Sequence, residues 1–541
     1  MRFQLNLIHV LRRAASLFGY QEIASFEPDG EIFRYSYTEF YGRVKRLGSA
    51  LRSLGVGEAD VVGTLAWNTH RHLELYYAVP CMGAVLHTLN LRLSKREISY
   101  ILNHAEDKIV FVDEDQYAAF AELGRNDLKC VIMGRDPTEH GPGVMSYEKL
   151  LEHGQQGFEF SDSLDEDAPA FLLYTSGTTG PPKGVIHSHR GVFIAGLALC
   201  LPQFFNLTDR DVVLLQVPLF HAVGWFLPFS SMIAGAKIVL PGPHPTPQRL
   251  AELIEGERVT VTAGAPTVWI NLLNHLNETR NYDISSLRRV IVGGASLTPA
   301  ILDGFEKLGV QAVHAWGMSE GPAAVVNWLK SDIDGSEEEM RKVKLKQGIP
   351  VPGIEVKTVD PEGNELPWDG KSFGELLFRG AWVIDSYFKD PERTAQSFSE
   401  GWLRTGDAAI IDEKGYVLIV DRYKDLIRSG GEWISSVDLE NHIMSHPAVL
   451  EAAVVGVPHE IWQERPLAFV VLKSDYVNKI GKAEIIDHLR ERVAKWQLPD
   501  EIIFVESIPK TGTGKFDKKV LREKYKNYFI EKSTKVSNRK G

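Results

Sequence analysis

The segment Tyr174-Thr-Ser-Gly-Thr-Thr-Gly-Pro-Pro-Lys-Gly184 puts glycines, hydroxyls and a lysine into one turn directly after the apolar run Phe171-Leu-Leu. Gly177, Gly180 and Gly184 let backbone N–H groups face an anion with no Cβ in the way, Thr175, Ser176, Thr178 and Thr179 add hydroxyl donors, and Lys183 adds a positive charge. This is the composition of a loop that holds phosphate. It is not a Walker-type loop, because that motif needs Gly-Lys-Ser/Thr in succession, whereas Lys183 follows two prolines and precedes a glycine.

Further groups suited to one active site lie downstream. Pro218-Leu-Phe-His-Ala-Val-Gly-Trp225 follows the strand-like Val212-Val-Leu-Leu215 and brings His221 and Trp225 to a strand end, where open α/β sheets bind ligands. In Val292-Gly-Gly-Ala-Ser296 the paired glycines would let a flat ring lie against bare backbone. His314-Ala-Trp-Gly-Met-Ser-Glu320 ends on a hydroxyl, Ser319, and on the hard carboxylate oxygens of Glu320, which suit Mg²⁺. Gly401-Trp-Leu-Arg-Thr-Gly-Asp407 presents a carboxylate suited to a ribose diol. Asp421-Arg-Tyr-Lys-Asp-Leu-Ile-Arg-Ser-Gly-Gly431 joins alternating charges to a tight turn, and Pro509-Lys-Thr-Gly-Thr-Gly-Lys515 sets one lysine on a glycine turn.

The elements that must position these groups are those of an α/β protein. Short β-branched runs such as Ile109-Val-Phe-Val112, Ile238-Val-Leu240 and Val290-Ile-Val292 alternate with longer helical patterns, which predicts helices layered on mainly parallel sheets. Leu7, Val10, Leu11, Ala14, Leu17 and Phe18 recur at helical spacing before Gly19 and predict a packed amphipathic helix. In Glu337-Glu-Glu-Met-Arg-Lys342 acids precede bases by four residues, the pattern of a solvated helix face. At 541 residues the chain exceeds one compact core. The texture changes after Asp421, and the expected division is a large domain over 1–421, a hinge at 422–424 and a small domain over 425–541. A net charge of −11 argues against a nucleic-acid partner, and Cys81, Cys130 and Cys200 have neither metal spacing nor an even framework, which suits a reducing cytosol. The uncharged run Gly191 to Phe205 contains Pro202, is too short to span a bilayer and reads as buried core.

Together these segments resemble the adenylate-forming superfamily of acyl-CoA synthetases, luciferases and nonribosomal adenylation domains, from about Glu22 to Lys526. Asp421 to Ser436 and Ala494-Lys-Trp-Gln-Leu-Pro499 are similar to medium- and long-chain fatty acyl-CoA synthetases. The resemblance implies a large domain of layered α/β sheets with a β-barrel-like subdomain and a small mobile α+β domain. It implies ATP, Mg²⁺ and CoA as ligands, acyl-AMP as intermediate and acyl-CoA as product. Lys515 is then the catalytic cation, Glu320 holds Mg²⁺, Ser319 reaches the α-phosphate, and the loop 175–183 covers the β- and γ-phosphates. Gly294, Ala295, Ser296 and the segment His314, Ala315, Trp316, Gly317, Met318 surround adenine, while Asp407, Ile419 and Arg422 serve the ribose and phosphate. Lys424 falls at the hinge and Trp433 at the position of a tryptophan that shuts the acyl tunnel.

By the same resemblance the acyl pocket includes His221, Gly224, Trp225, Thr267, Val292 and Gly293, and His221 is also placed among the catalytic residues. Small residues at Ala222, Gly224 and Gly293 and the lack of an evident Arg or Lys partner for a second carboxylate favour an apolar tail. Aryl acids and short thioether acids such as methylthiopropionate stay open. A carrier-protein loader is the other alternative, and an end 26 residues beyond Lys515 favours a diffusible acceptor. A homodimer is implied, and a cytoplasmic enzyme working near membranes is expected.

Overall fold

The computed structural model describes residues 3–125, 127–134, 144–175, 181–279, 281–333, 335–430, 432–459, 461–510 and 516–531. The chain divides into two compact units, the first made of Met1–Val356, Phe378–Leu403 and Gly415–Val417, the second of Lys357–Leu377, Arg404–Lys414 and Leu418–Gly541.

Two large sheets build the first unit. The nine-stranded sheet runs in the order 349–350, 321–326, 311–318, 289–292, 261–264, 212–214, 237–240, 22–26 and 32–36. Its pairings from 311–318 through 22–26 are parallel and those at both edges antiparallel. The eight-stranded sheet runs 387–388, 183–188, 169–175, 85–88, 61–65, 109–113, 129–133 and 144–146, with its first two pairings antiparallel and the rest parallel. Parallel strands covered on both faces read as unbroken apolar runs, and Ile109–Asp113 and Arg289–Val292 are buried throughout. A five-stranded sheet contains 354–359, 373–380, 402–411, 398–399 and 417–422. The second unit holds a further sheet of 432–434, 427–429, 463–472 and 449–459, with 501–504 beside 463–472. The layered α/β architecture expected from the sequence is thus present.

Local signals fix the helix ends. Ser36 with Glu39, Ser94 with Glu97 and Ser336 with Glu339 form reciprocal capping boxes, so the Ser-x-x-Glu spacing starts three helices by the same two hydrogen bonds. The first helix, Leu7–Leu17, buries Leu7, Val10, Leu11 and Ala14 as its spacing predicts, but Leu17 is 59% exposed because the apolar stripe leaves the core in the last turn. The helix Glu337–Leu345 buries no residue and carries the exposed Glu338–Lys342 pair at 3.0 Å, as expected of a solvated face. The uncharged run from Gly191 lies mostly in the helix His189–Cys200, largely buried, although Leu197 and Leu201 reach solvent. All three cysteines are free thiols. Among the described residues no helix is long and apolar enough to cross a membrane.

Candidate active site

The nine-stranded sheet brings several predicted residues to one edge. Gly264 pairs with Val292 and Val292 with His314, so the strands 261–264, 289–292 and 311–318 leave the sheet side by side at their carboxyl ends. Thr267 is exposed in the first turn of the helix Pro266–Thr279, which follows the first of these strands. After the second come Gly293 and Gly294, the latter in the left-handed region at φ 80°, then the exposed Ala295 and half-buried Ser296. His221 caps a turn, Ala222 to Phe226, in which five successive residues have φ between 43° and 58°. Four of them are not glycine, and each left-handed L-residue costs about 1–2 kcal/mol. The turn delivers Trp225 to the paired glycines: a Cβ at Gly293 would stand 2.7 Å from the Trp225 ring. Bare backbone therefore does face a flat ring here, and that ring belongs to the protein.

His314 is committed to the fold. Its Nδ1–H donates to the Leu345 carbonyl at 3.0 Å and its Nε2 accepts the Leu297 N–H at 3.2 Å, while burial lowers its pKa to about 4. The neutral ring ties the turn after Gly294 to its neighbours. Trp316 packs edge-on against Phe378, Ala315 is buried, and the strand is irregular between Trp316 and Met318 around Gly317, whose added Cβ would collide with the Ala323 backbone.

Two side chains absent from the sequence reading hold the next two residues. The His187 Nε2–H donates to the Ser319 carbonyl at 2.9 Å, and burial again lowers this imidazole to about 4. The Tyr387 hydroxyl donates to Glu320 Oε1 at 2.7 Å. Lys183 lies with its Nζ 4.6 Å from the centre of the same tyrosine ring. Thr175 pairs with Lys183 across an antiparallel hairpin. The phosphate-loop residues Ser176, Gly177, Thr178, Thr179 and Gly180 between them, and Lys515, lie outside the described residues. Glu320 is buried at 5% exposure, and its Oε2 has no hydrogen-bond partner among the described residues. A buried, oriented carboxylate with one oxygen left over suits Mg²⁺, which binds through one or two carboxylates and substrate phosphates and needs no cage of ligands.

In the second unit Asp407 is buried and pairs with Arg422, Oδ1 to Nε at 2.8 Å. Arg422 also donates to the Thr405 carbonyl at 3.3 Å, and the Thr405 hydroxyl accepts the Asp407 N–H at 2.9 Å. Ile419 precedes this pair on the strand Val417–Arg422. The Tyr423 N–H bonds the Gly406 carbonyl at 2.9 Å, which joins the strand Trp402–Ile411 beside Asp407 to the Arg422 segment. Lys424 follows, its carbonyl accepting from Arg522, which also pairs with Asp425. Trp433 lies beside Tyr423 and edge-on to Phe373, with the Arg428 guanidinium 5.1 Å from its ring.

Comparison with known proteins places this arrangement. The family described as AMP-binding enzyme matches residues 11–388, and the AMP-binding enzyme C-terminal domain matches residues 438–515. The chain belongs to the AMP-binding enzyme family. Among relatives of this AMP-binding enzyme, a long-chain-fatty-acid–CoA ligase of Thermus thermophilus is 47% identical, covering 97% of this chain and 96% of its own. A 3-methylmercaptopropionyl-CoA ligase of Ruegeria lacuscaerulensis is 42% identical over 97% and 98%. The crystal structure of the anthranilate CoA ligase AuaEII in complex with anthranoyl-AMP superposes with a TM-score of 0.85 at 27% identity, covering 97% and 98%. The motifs from which the adenylate-forming superfamily was inferred therefore belong to a full-length likeness. His187 was missed in this AMP-binding enzyme because nothing in its sequence neighbourhood separates it from the adjacent His189. Tyr387 was missed because it meets Glu320 only when Tyr387–Phe388 pairs with Lys183–Ser188.

Proposed function

We propose that the protein is an acid–thiol ligase that activates a fatty acid with ATP to acyl-AMP and pyrophosphate, then transfers the acyl group to CoA. The observation that carries this reading is the near-full-length likeness to a long-chain-fatty-acid–CoA ligase. The pre-oriented Glu320 carboxylate beside the phosphate-loop hairpin supports it.

The chemistry follows from charge. A carboxylate is a poor acyl donor because oxide would have to leave, whereas acyl-AMP releases a stabilised phosphate. Bringing the anionic acid to the α-phosphate requires cations placed where charge builds in the transition state. Lys515 takes that role, with Lys183 on the outer phosphates and the Ser319 hydroxyl at the α-phosphate. Mg²⁺ held by Glu320 would neutralise phosphate charge. Asp407 accepts from the ribose hydroxyls, and Arg422 holds that carboxylate aimed. Lys424 is the hinge between the two half-reactions, about which the small domain 425–541 turns, and Trp433 shuts the acyl tunnel. His221, Gly224, Trp225, Thr267, Val292 and Gly293 form the acyl pocket, with Gly294, Ala295, Ser296 and Trp316 around adenine. The enzyme works as a cytoplasmic homodimer.

The test is formation of AMP and acyl-CoA from Mg-ATP and CoA over straight-chain, aryl and short thioether acids. Turnover peaking on medium or long chains is expected; a peak on methylthiopropionate would move the enzyme to the thioether class, and pyrophosphate release without thioester would make it a carrier-protein loader. Lys515→Ala is expected to abolish acyl-AMP formation and to leave thioester formation from supplied acyl-AMP largely intact. Equal loss of both steps would contradict the assignment.

A further inference from the structure

We propose that Tyr387 is a positioning residue that holds Glu320 and Lys183 apart and aimed, so that the carboxylate and the ammonium both face the nucleotide instead of each other. One side chain touches both charges. Its hydroxyl donates to Glu320 Oε1 at 2.7 Å and its ring face lies 4.6 Å from Lys183 Nζ. An ammonium over an aromatic face is attracted by the ring quadrupole, and this gives Lys183 a resting place other than the neighbouring carboxylate. The hydroxyl fixes the plane of the carboxylate and leaves Oε2 for a ligand.

The backbone around Tyr387 is held at several points. Tyr387 pairs with Val185 and Phe388 with Gly184 in an antiparallel strand beside the phosphate-loop hairpin. The Tyr387 N–H donates to the Thr394 hydroxyl at 3.0 Å, and its carbonyl accepts the Asp390 N–H at 3.3 Å. Phe388 packs so closely that a Cβ on Gly184 would stand 2.8 Å from its own Cβ. The tyrosine is thus indexed to the hairpin that carries Lys183, and through its hydroxyl it indexes Glu320 to the same hairpin.

This rests on the reading that Glu320 and Lys183 serve the phosphates of ATP, and the variants separate the two. Tyr387→Phe keeps the ring and removes the hydroxyl; Tyr387→Leu removes both. Calorimetric binding of ATP to the full chain is measured with Mg²⁺ and with EDTA, beside thioester formation from supplied acyl-AMP. Tyr387→Phe is expected to weaken ATP binding about tenfold or more with Mg²⁺ and not in EDTA, the scale of a hydrogen bond to a charged group. Tyr387→Leu is expected to weaken it in both conditions. Thioester formation from supplied acyl-AMP stays at the parent rate in both variants. Should Tyr387→Leu fail to fold, Tyr387→Phe alone decides. Binding by Tyr387→Phe equal to the parent with Mg²⁺, or equal loss of both half-reactions, overturns the proposal. A Mg²⁺-dependent loss in Glu320→Gln without one in Tyr387→Phe overturns this inference alone, whereas no loss in Glu320→Gln overturns the underlying reading.

Discussion

Adding one methyl group at Gly293 should reshape the proposed acyl pocket without touching the proposed nucleotide site. The new Cβ would lie 2.7 and 3.0 Å from two carbons of Trp225 and 3.1 Å from the Ala315 carbonyl oxygen. Carbon pairs settle at about 3.5–4.0 Å, so the indole must retreat by about 1 Å. The backbone beneath it cannot follow easily, because Trp225 sits in the middle of a left-handed turn with φ of 49° and 55° at the two preceding residues and 58° at the next. The displacement falls on the side-chain torsions and on whatever lies behind the ring, at the ordinary cost of overpacking, about 1–3 kcal/mol. If the pocket is the acyl slot, Gly293→Ala raises the KM for the preferred acid roughly 5- to 150-fold, while the KM for ATP stays within about twofold. Initial rates at saturating ATP and CoA over a chain-length series measure this, with a melting curve to read stability. Unchanged KM for every acid, with an unchanged melting temperature, would falsify both the predicted clash and its placement in the slot.

Three other outcomes are expected. Asp407→Asn should weaken ATP and AMP binding about 10- to 100-fold by calorimetry with little loss of stability, since Arg422 is 45% exposed and solvent screens the pair; unchanged nucleotide affinity would remove Asp407 from the site. Four buried histidines of the first unit, His72, His187, His189 and His314, have pKa values lowered to about 4, so below pH 6.5 the unfolded chain takes up protons that the native state refuses. Their stability contribution is complete above about pH 7 and falls with acidification by about 1.4 kcal/mol per histidine at pH 5.5; the raised carboxyl of Asp113 works in the opposite sense. Urea midpoints that stay level between pH 7.5 and 5.5 would contradict this. Arg522→Ala, which frees the Lys424 carbonyl and Asp425, should slow the overall two-step reaction more than either half-reaction alone; equal effects on all three rates would detach Arg522 from the proposed hinge.

The residues that the sequence offered as candidates are those whose chemistry lies in one contiguous segment. Ser319 with Glu320 and the hairpin ending at Lys183 combine turn residues with a polar group within a few positions at a strand end, whereas Asp407, expected after a tight turn, lies inside the strand Trp402–Ile411. The layered fold was legible for the same reason, since apolar runs such as Ile109–Asp113 declare buried parallel strands without reference to their neighbours. Contacts between distant segments were not. Tyr387 reaches Glu320 across 67 positions and His187 reaches Ser319 across 132, and neither tyrosine nor histidine carries a local mark of that destination. The turn Ala222 to Phe226 was illegible for a different reason. Alanine, valine, tryptophan and phenylalanine all resist positive φ, so packing imposes a conformation that local preference opposes. The resemblance offers His314 for the adenine site, while its two ring nitrogens bond the backbone of Leu297 and Leu345.

The second unit is assembled from three separated stretches, 357–377, 404–414 and 418–541. A chain emerging from the ribosome can complete the sheet containing 109–113 only after 387–388 has appeared, and it can complete the second unit only after the helix Lys518–Tyr525 has. Asp425 is therefore synthesised 97 residues before Arg522, the partner of its carboxylate, whereas Asp407 meets Arg422 on the neighbouring strand. Translation that pauses between Asp425 and Arg522 would leave Asp425 without its partner on unfinished structure, so that stretch of the message is where synonymous changes in speed should most affect the yield of folded protein.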